Sequence, residues 1–184
     1  MANFEASYEK MLKLEFSSAK NALHKNKNET GYTFMGIYET AHPKWSGWKI
    51  IKQGLKEYGN IELASVRLYD NELLRDMVKD FYKAWFWDKA KLDNVIPYNQ
   101  AHLIFCFGVN IGVKKAVQIA QRIVKVADDG IVGKITINAL NSYSPLKFDS
   151  EYRQSMANYY RGLCDKNPKY LIFLNGWLNR IVRT

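Results

Sequence analysis

The apolar positions of the chain fall mostly at steps of three and four, the spacing of an amphipathic helix, with polar breaks between them. Phe4, Tyr8, Met11, Leu12, Phe16 and Ala19 make one face of a helix expected over residues 4–23. A polar, aperiodic loop follows at 25–31, then a compact aromatic stretch at 33–40, interrupted by His42-Pro43. The turn Trp45-Ser46-Gly47-Trp48 leads into a short helix around 50–58. From Asn60 a stripe of Ile61, Ala64, Leu68, Leu73, Met77, Phe81, Ala84 and Trp85 predicts helix for a long way, with a break near Tyr69-Asp70-Asn71.

After Pro97 a buried helix is expected over 100–109. An amphipathic one follows over 112–126, with Val113, Val117, Ala120 and Val124 on one face. Asp128-Asp129-Gly130 reads as a turn and 134–140 as another short helix. Pro145 then precedes a last pair at about 150–164 and 170–181. No alternating run is long enough to anchor a sheet. The expected fold is all-α, or mainly α.

Composition narrows the classes. A chain of 184 residues suits one domain, or one domain with a small subdomain, and 47% hydrophobic with 24% charged residues excludes disordered and fibrous architectures. The 12 Tyr, 9 Phe and 5 Trp exceed what packing alone needs. With 27 Lys+Arg against 18 Asp+Glu the formal charge is +9, which favours an anionic partner: nucleic acid, anionic lipid or a cell-wall polymer. The N-terminal residues have no basic n-region and no apolar h-region, so synthesis in the cytoplasm without a signal peptide is expected. The longest strongly apolar stretch, 103–113, is interrupted by Gly108 and Asn110 and falls short of the roughly 20 residues that span a bilayer.

Several chemistries find no support. Cys106 and Cys164 are too few for a disulfide-dense scaffold or a four-cysteine zinc site; they either pair or are both free. Neither cysteine reads as having a histidine nearby, so a thiol nucleophile is unsupported. His24, His42 and His102 stand in no zinc-ligand spacing, and neither metal nor cofactor is expected. His42, before a proline, reads as a turn residue. There is no phosphate-binding glycine loop. The basic residues are spread over several segments without a recognisable module, so nucleic acid is not an expected partner.

Glu15 is the most informative residue. It sits where the first apolar stripe calls for a core-facing side chain. Burial disfavours the charged carboxylate and raises its pKa above about 4.3. A glutamic acid held protonated in this way can donate a proton to a leaving oxygen, as in glycoside hydrolysis. The plainer reading is a helix-edge glutamate paired with Lys13, Lys20 or a distant arginine. In the loop 28–37, Glu29 and Thr33 lie among glycines that allow close backbone approach to a ligand, although a turn with a local Asx or Thr bond explains the same residues. Trp45, Trp48, Tyr82, Trp85 and Trp87 could form stacking walls for sugar rings, or serve as core.

Taken in order, these segments resemble glycoside hydrolase family 108, peptidoglycan-cleaving N-acetylmuramidases of lysozyme-like type once called secretion activator proteins. The helix bearing Glu15 and the run Thr33-Phe34-Met35-Gly36-Ile37 are similar to the family's glutamate and G-G-E-T-x-x-G-I pattern. Val109-Asn110-Ile111-Gly112, Ala120-Gln121 and Asp129-Gly130-Ile131-Val132-Gly133-Lys134-Ile135-Thr136 resemble its V-N-x-G, Q and D-G-x-x-G-x-x-T elements, in a segment called a predicted peptidoglycan-binding domain. Tyr159-Tyr160-Arg161 and Gly176-Trp177-Leu178-Asn179-Arg180 are similar to its closing motifs.

The resemblance implies a lysozyme-like helical fold, with residues 1–96 as the catalytic part and 97–184 as a peptidoglycan-binding helical part. Glu15 then matches the catalytic glutamate, with Glu29, Thr33, Trp85 and Asn110 expected to hold substrate. The implied reaction is cleavage of the β-1,4 bond between N-acetylmuramic acid and N-acetylglucosamine in glycan strands of the periplasm or cell wall, reached through a holin, a secretion apparatus or lysis. The chain also departs from the pattern. Phe16-Ser17-Ser18 follows Glu15 where the family has Gly-Gly-Tyr, Tyr32 stands where it commonly has Glu, and Cys106 where many members have Asp. Those departures leave open a catalytically inactive peptidoglycan-binding or secretion-assembly module.

Overall fold

The computed structural model describes residues 2–15, 18–27 and 29–184, leaving aside the side chains of Leu14 and Glu15. The chain divides into two compact units, Leu12–Tyr82 and Met1–Met11 with Lys83–Thr184. The fold is mainly α, as the periodicity predicts.

Helix α1 (Phe4–Glu15) begins in the second of these units and ends in the first. The helix expected over 4–23 therefore stops at Glu15. Ser18 is already extended (φ −163, ψ 162) and is followed by a 3-10 turn, Ala19–Asn21, and strand β1 (Leu23–His24). A tertiary contact holds this departure from helical periodicity. The Ser65 hydroxyl, fully buried, donates to the Ala19 carbonyl at 2.6 Å and accepts from the Leu23 N–H at 2.8 Å.

Strands β2 (Thr33–Phe34) and β3 (Ile37–Tyr38) complete an antiparallel sheet in the order β1-β2-β3, pairing Leu23 with Phe34 and Phe34 with Ile37. Two-residue strands are too short to show alternation, which is why the sequence pattern did not reveal a sheet. Met35 and Gly36, between β2 and β3, have φ of 46 and 84, the pair of positive values that a type I′ hairpin turn requires. Glycine adopts this freely. Met35 is held there by the Tyr82 hydroxyl, which donates to its carbonyl at 2.8 Å, and by its own N–H bond to Ala22 at 2.7 Å.

Helices α2 (Gly47–Tyr58), α3 (Ile61–Tyr69) and α4 (Glu72–Tyr82) bury Ile51, Ala64, Leu68, Leu74 and Val78 in the same unit. The break expected at 69–71 is present: α3 ends at Tyr69 with Asp70 as its C-cap, and the Asn71 carboxamide accepts the Leu74 N–H at 2.9 Å, restarting the helix. His42 lies in a turn, as expected, and also packs its ring edge-on against Phe81 at 4.7 Å.

In the other unit α4 continues as a π turn, Lys83–Trp87. Within it Trp85 is 46% exposed while Trp87, two residues on and so nearly on the opposite face, is fully buried. Helix α5 (Tyr98–Ile111) buries every residue from 100 to 108, as a helix enclosed on all sides does. It packs against α6 (Val113–Ile123) and α8 (Pro145–Lys166). Helix α7 (Lys134–Ser142) lies between these in sequence, and α9 (Leu171–Arg183) closes the chain against α8 through Trp177, stacked on Tyr160 at 4.8 Å. Helix α8 starts five residues before its expected beginning because Pro145 takes the first helical position, where its missing N–H costs nothing. Phe4 joins this unit's core, edge-on to Trp87 at 5.5 Å and to Phe105 at 5.8 Å.

Candidate functional site

Glu15 is the last residue of α1 and belongs to the sheet-bearing unit; its side chain lies outside the described part of the structure. The described helix ends there and Ser18 is already extended, so the stripe does not run on the same helix to Ala19; Met11, one turn before Glu15, is buried.

Glu29 and Thr33 lie in the same unit, on the approach to β2 and in it. Thr33 is half-buried and pairs across the sheet with Tyr38 and His24. Glu29 is half-buried, and its Oε2 is closed off from solvent with no hydrogen-bond partner among the described residues. Tyr38, which sequence reasoning did not single out, links the two. Its phenol hydrogen-bonds with the Thr40 and Thr30 hydroxyls, and these hold its pKa below the ordinary phenol value against burial and the negative charge of Glu29. The two threonine oxygens are 3.3 Å apart. Glu39, on the same hairpin, is bonded to Lys52 Nζ at 2.8 Å and to the Tyr32 N–H at 3.1 Å; the lysine first, then that N–H, keep its carboxyl below the usual range. The hairpin region thus carries three linked hydroxyls, of Tyr38, Thr40 and Thr30, within the field of Glu29, and separately the Glu39–Lys52 ion pair.

The remaining expected residues belong to the helical unit. Trp85 is exposed, and Lys89 Nζ lies over its ring at 3.8 Å. Asn110 is exposed near the end of α5 and turns its amide back to the Cys106 carbonyl at 3.3 Å. Of the aromatic residues considered as sugar-stacking walls, Trp48, Tyr82 and Trp87 are 4%, 1% and 0% exposed and serve as core. Cys106 does have a histidine beside it: His102, one helical turn earlier, places its Nδ1 3.7 Å from Sγ. Both are enclosed, and both cysteines are free and buried, so the thiols are shut away from substrate. Among the described residues no group of three or more His, Cys, Asp or Glu is placed to hold a metal ion, and none of the described helices is long and apolar enough to cross a membrane.

Gln121, which the sequence offers only as the Q of a family element and without a role, is 1% exposed on α6. Its Nε2 donates to Asp129 Oδ1 at 3.0 Å, to the Ile131 carbonyl at 3.1 Å and to Thr136 Oγ1 at 3.2 Å, while its Oε1 accepts the Gly130 N–H at 2.8 Å. One carboxamide therefore clips the whole loop from Asp129 to Thr136. Gly130 is required within it: φ is +78, and a Cβ there would meet Lys114 Cγ at 2.6 Å. Asp129 also accepts the Ile131 N–H at 2.8 Å; that bond, then the one from Gln121, keep its carboxyl below the usual range. Beside the clip opens a cleft of about 400 Å³ whose walls include Lys134 and the exposed Ile131 and Ile135. A second, of about 300 Å³, lies between α6 and α8 and is lined by Lys115, Arg122, Ser155, Asn158 and Tyr159.

The family model of Glycosyl hydrolase 108 matches residues 21–112, half of the chain. The chain belongs to the glycosyl hydrolase 108 family. A second model, described as a predicted peptidoglycan domain, matches residues 115–182, so this glycosyl hydrolase 108 member also carries a peptidoglycan-related segment. That segment contains the Gln121 clip and both clefts, whereas Glu29, Thr33, Trp85 and Asn110 fall in the hydrolase match and Glu15 precedes it. Among solved structures, SagA of Brucella abortus has a similar fold, with a TM-score of 0.70 at 22% identity over 98% of this chain and 90% of that one. No curated protein matches the chain.

Proposed function

We propose that this glycosyl hydrolase 108 member is an N-acetylmuramidase, cleaving the β-1,4 bond between N-acetylmuramic acid and N-acetylglucosamine in peptidoglycan, with Glu15 as general acid. The observation that carries the reading is the grouping, within one unit, of a helix ending on a carboxylate and a sheet bearing Glu29, Thr33 and Tyr38. In this mechanism Glu15 protonates the leaving oxygen while positive charge develops on the sugar ring. Glu29 supports that role from the same unit: an enclosed carboxylate oxygen without a partner among the described residues costs folding free energy, which a substrate hydroxyl or an attacking water would offset. Thr33 and Tyr38 offer hydroxyls for orienting that water or the sugar. In the other unit, Trp85 offers an exposed aromatic face for a sugar ring, and the clefts beside Gln121 and Tyr159 offer places to hold glycan. The net charge of +9 favours approach to anionic wall polymers, and added salt weakens that attraction.

The experiment is turbidity clearing of stripped peptidoglycan by the wild type and by Glu15→Gln, with a pull-down of both proteins on the same material. Clearing by the wild type, lost in the variant while wall binding and circular dichroism are retained, is the expected result. Equal clearing by both proteins removes Glu15 from the mechanism. Binding without clearing by the wild type supports the inactive wall-binding or secretion-assembly module instead.

A further inference from the structure

The chain from Asp165 to Thr184 contains Lys166, Lys169, Arg180 and Arg183 against the single acid Asp165. A 3-10 turn, Pro168–Tyr170, leads there into α9. At this junction four consecutive apolar side chains stand in solvent: Tyr170 is 40% exposed, Leu171 57%, Ile172 80% and Phe173 50%. An uninterrupted exposed run of this kind is unfavourable in water and marks a surface that something covers. The tip is also held in shape. Trp177, seated on Tyr160 of α8, lies 6.1 Å from the Tyr170 ring and 5.9 Å from that of Phe173, and Ile181 is buried. The helix spends those side chains on its own unit and leaves the run uncovered.

We propose that this tip docks on an anionic lipid surface. Leucine, isoleucine and phenylalanine enter the acyl boundary, tyrosine sits at headgroup depth, and Lys166 and Lys169, just before the run, bind lipid phosphates while their methylene stems stay against apolar material. The charge selects this occupant. A second copy of a chain carrying +9 would bring cations against cations, whereas an anionic bilayer satisfies the apolar run and its basic collar together. The inference stands on the α9 junction alone and does not depend on the hydrolase reading.

The test is co-sedimentation of the full chain with phosphatidylcholine vesicles and with vesicles of equal parts phosphatidylcholine and phosphatidylglycerol. Binding to the anionic vesicles is expected to be about tenfold tighter, with the difference shrinking as salt is added. Ile172→Asn with Phe173→Ser loses binding to both vesicle types. Lys166→Glu with Lys169→Glu loses only the preference for anionic lipid, and Leu146→Ser, a substitution at another highly exposed apolar position, binds as wild type. Equal binding to both vesicles, unchanged binding by the tip variants, or concentration-dependent self-association abolished by those variants without lipid binding would each overturn the proposal.

Discussion

Replacing Gln121 with leucine keeps the approximate volume of the side chain and removes all of its hydrogen bonds. The exposed Asp129 carboxylate recovers its bond from water. The Gly130 N–H, half-buried beneath the loop, and Thr136 Oγ1, in a side chain 4% exposed, recover theirs less readily. Two poorly satisfied groups at 1–1.5 kcal/mol each give a loss of about 2–3 kcal/mol. For a chain of this size that corresponds to a fall in Tm of roughly 5–10 °C. Urea unfolding followed by circular dichroism, with Gln121→Leu beside the wild type, measures it. Gln121→Glu should cost more near neutral pH, because a carboxylate there faces the Asp129 carboxylate and the Ile131 carbonyl, and the excess should shrink as acid protonates it. A loss for Gln121→Leu below about 0.5 kcal/mol, the size of an ordinary surface change, would refute the clip.

Two further outcomes follow from buried polar groups. Ser65→Ala orphans both the Ala19 carbonyl and the Leu23 N–H, so a loss of about 2 kcal/mol is expected, with faster proteolysis in the segment 18–24; unchanged protease sensitivity would show that the hydroxyl does not hold it. His102, 1% exposed, has its pKa lowered to about 4 by burial first and then by the positive charges of Lys10 and Arg153. The unfolded chain therefore takes up this proton first as pH falls. Stability from keeping the ring neutral is complete above pH of about 6.5 and is lost progressively towards pH 4, by about 3 kcal/mol in all. His102→Leu should flatten that part of the urea-midpoint profile, and a profile parallel to the wild type would remove the assignment.

Most helices were legible because their apolar stripes repeat over two turns or more: α2 to α9 all fall where the periodicity placed them, with boundaries shifted by a few residues. What escaped reading was local and tertiary. The end of α1 depends on Ser65, 46 positions from Ala19. The sheet has strands of two residues, and the π turn alters phase without altering composition. The candidate site was legible in its residue types and less so in its arrangement. Glu29 and Thr33 were picked from glycine-rich loop chemistry, but Tyr38, which links them, looked like one more aromatic in a compact stretch. Gln121 did leave a signal. It stands four residues after Val117 and three before Val124, on the apolar face of α6, where an amide belongs only if something bonds it. The same test finds Ser65 beside Ile61 and Leu68, and it places His102 one turn from Cys106.

The interruption of one compact unit by the other bears on how the chain is made. Residues Leu12–Tyr82 leave the ribosome as an unbroken block and can begin to condense at once. Phe4 emerges earlier still, yet its ring partners Trp87 and Phe105 are synthesised only after that block is out. At translation speeds of about 5–20 residues per second, the opening segment waits several seconds with an aromatic face uncovered. The nascent protein therefore passes through an interval in which Phe4 is made and its ring partners are not, and in which a chaperone has a clear reason to hold that helix.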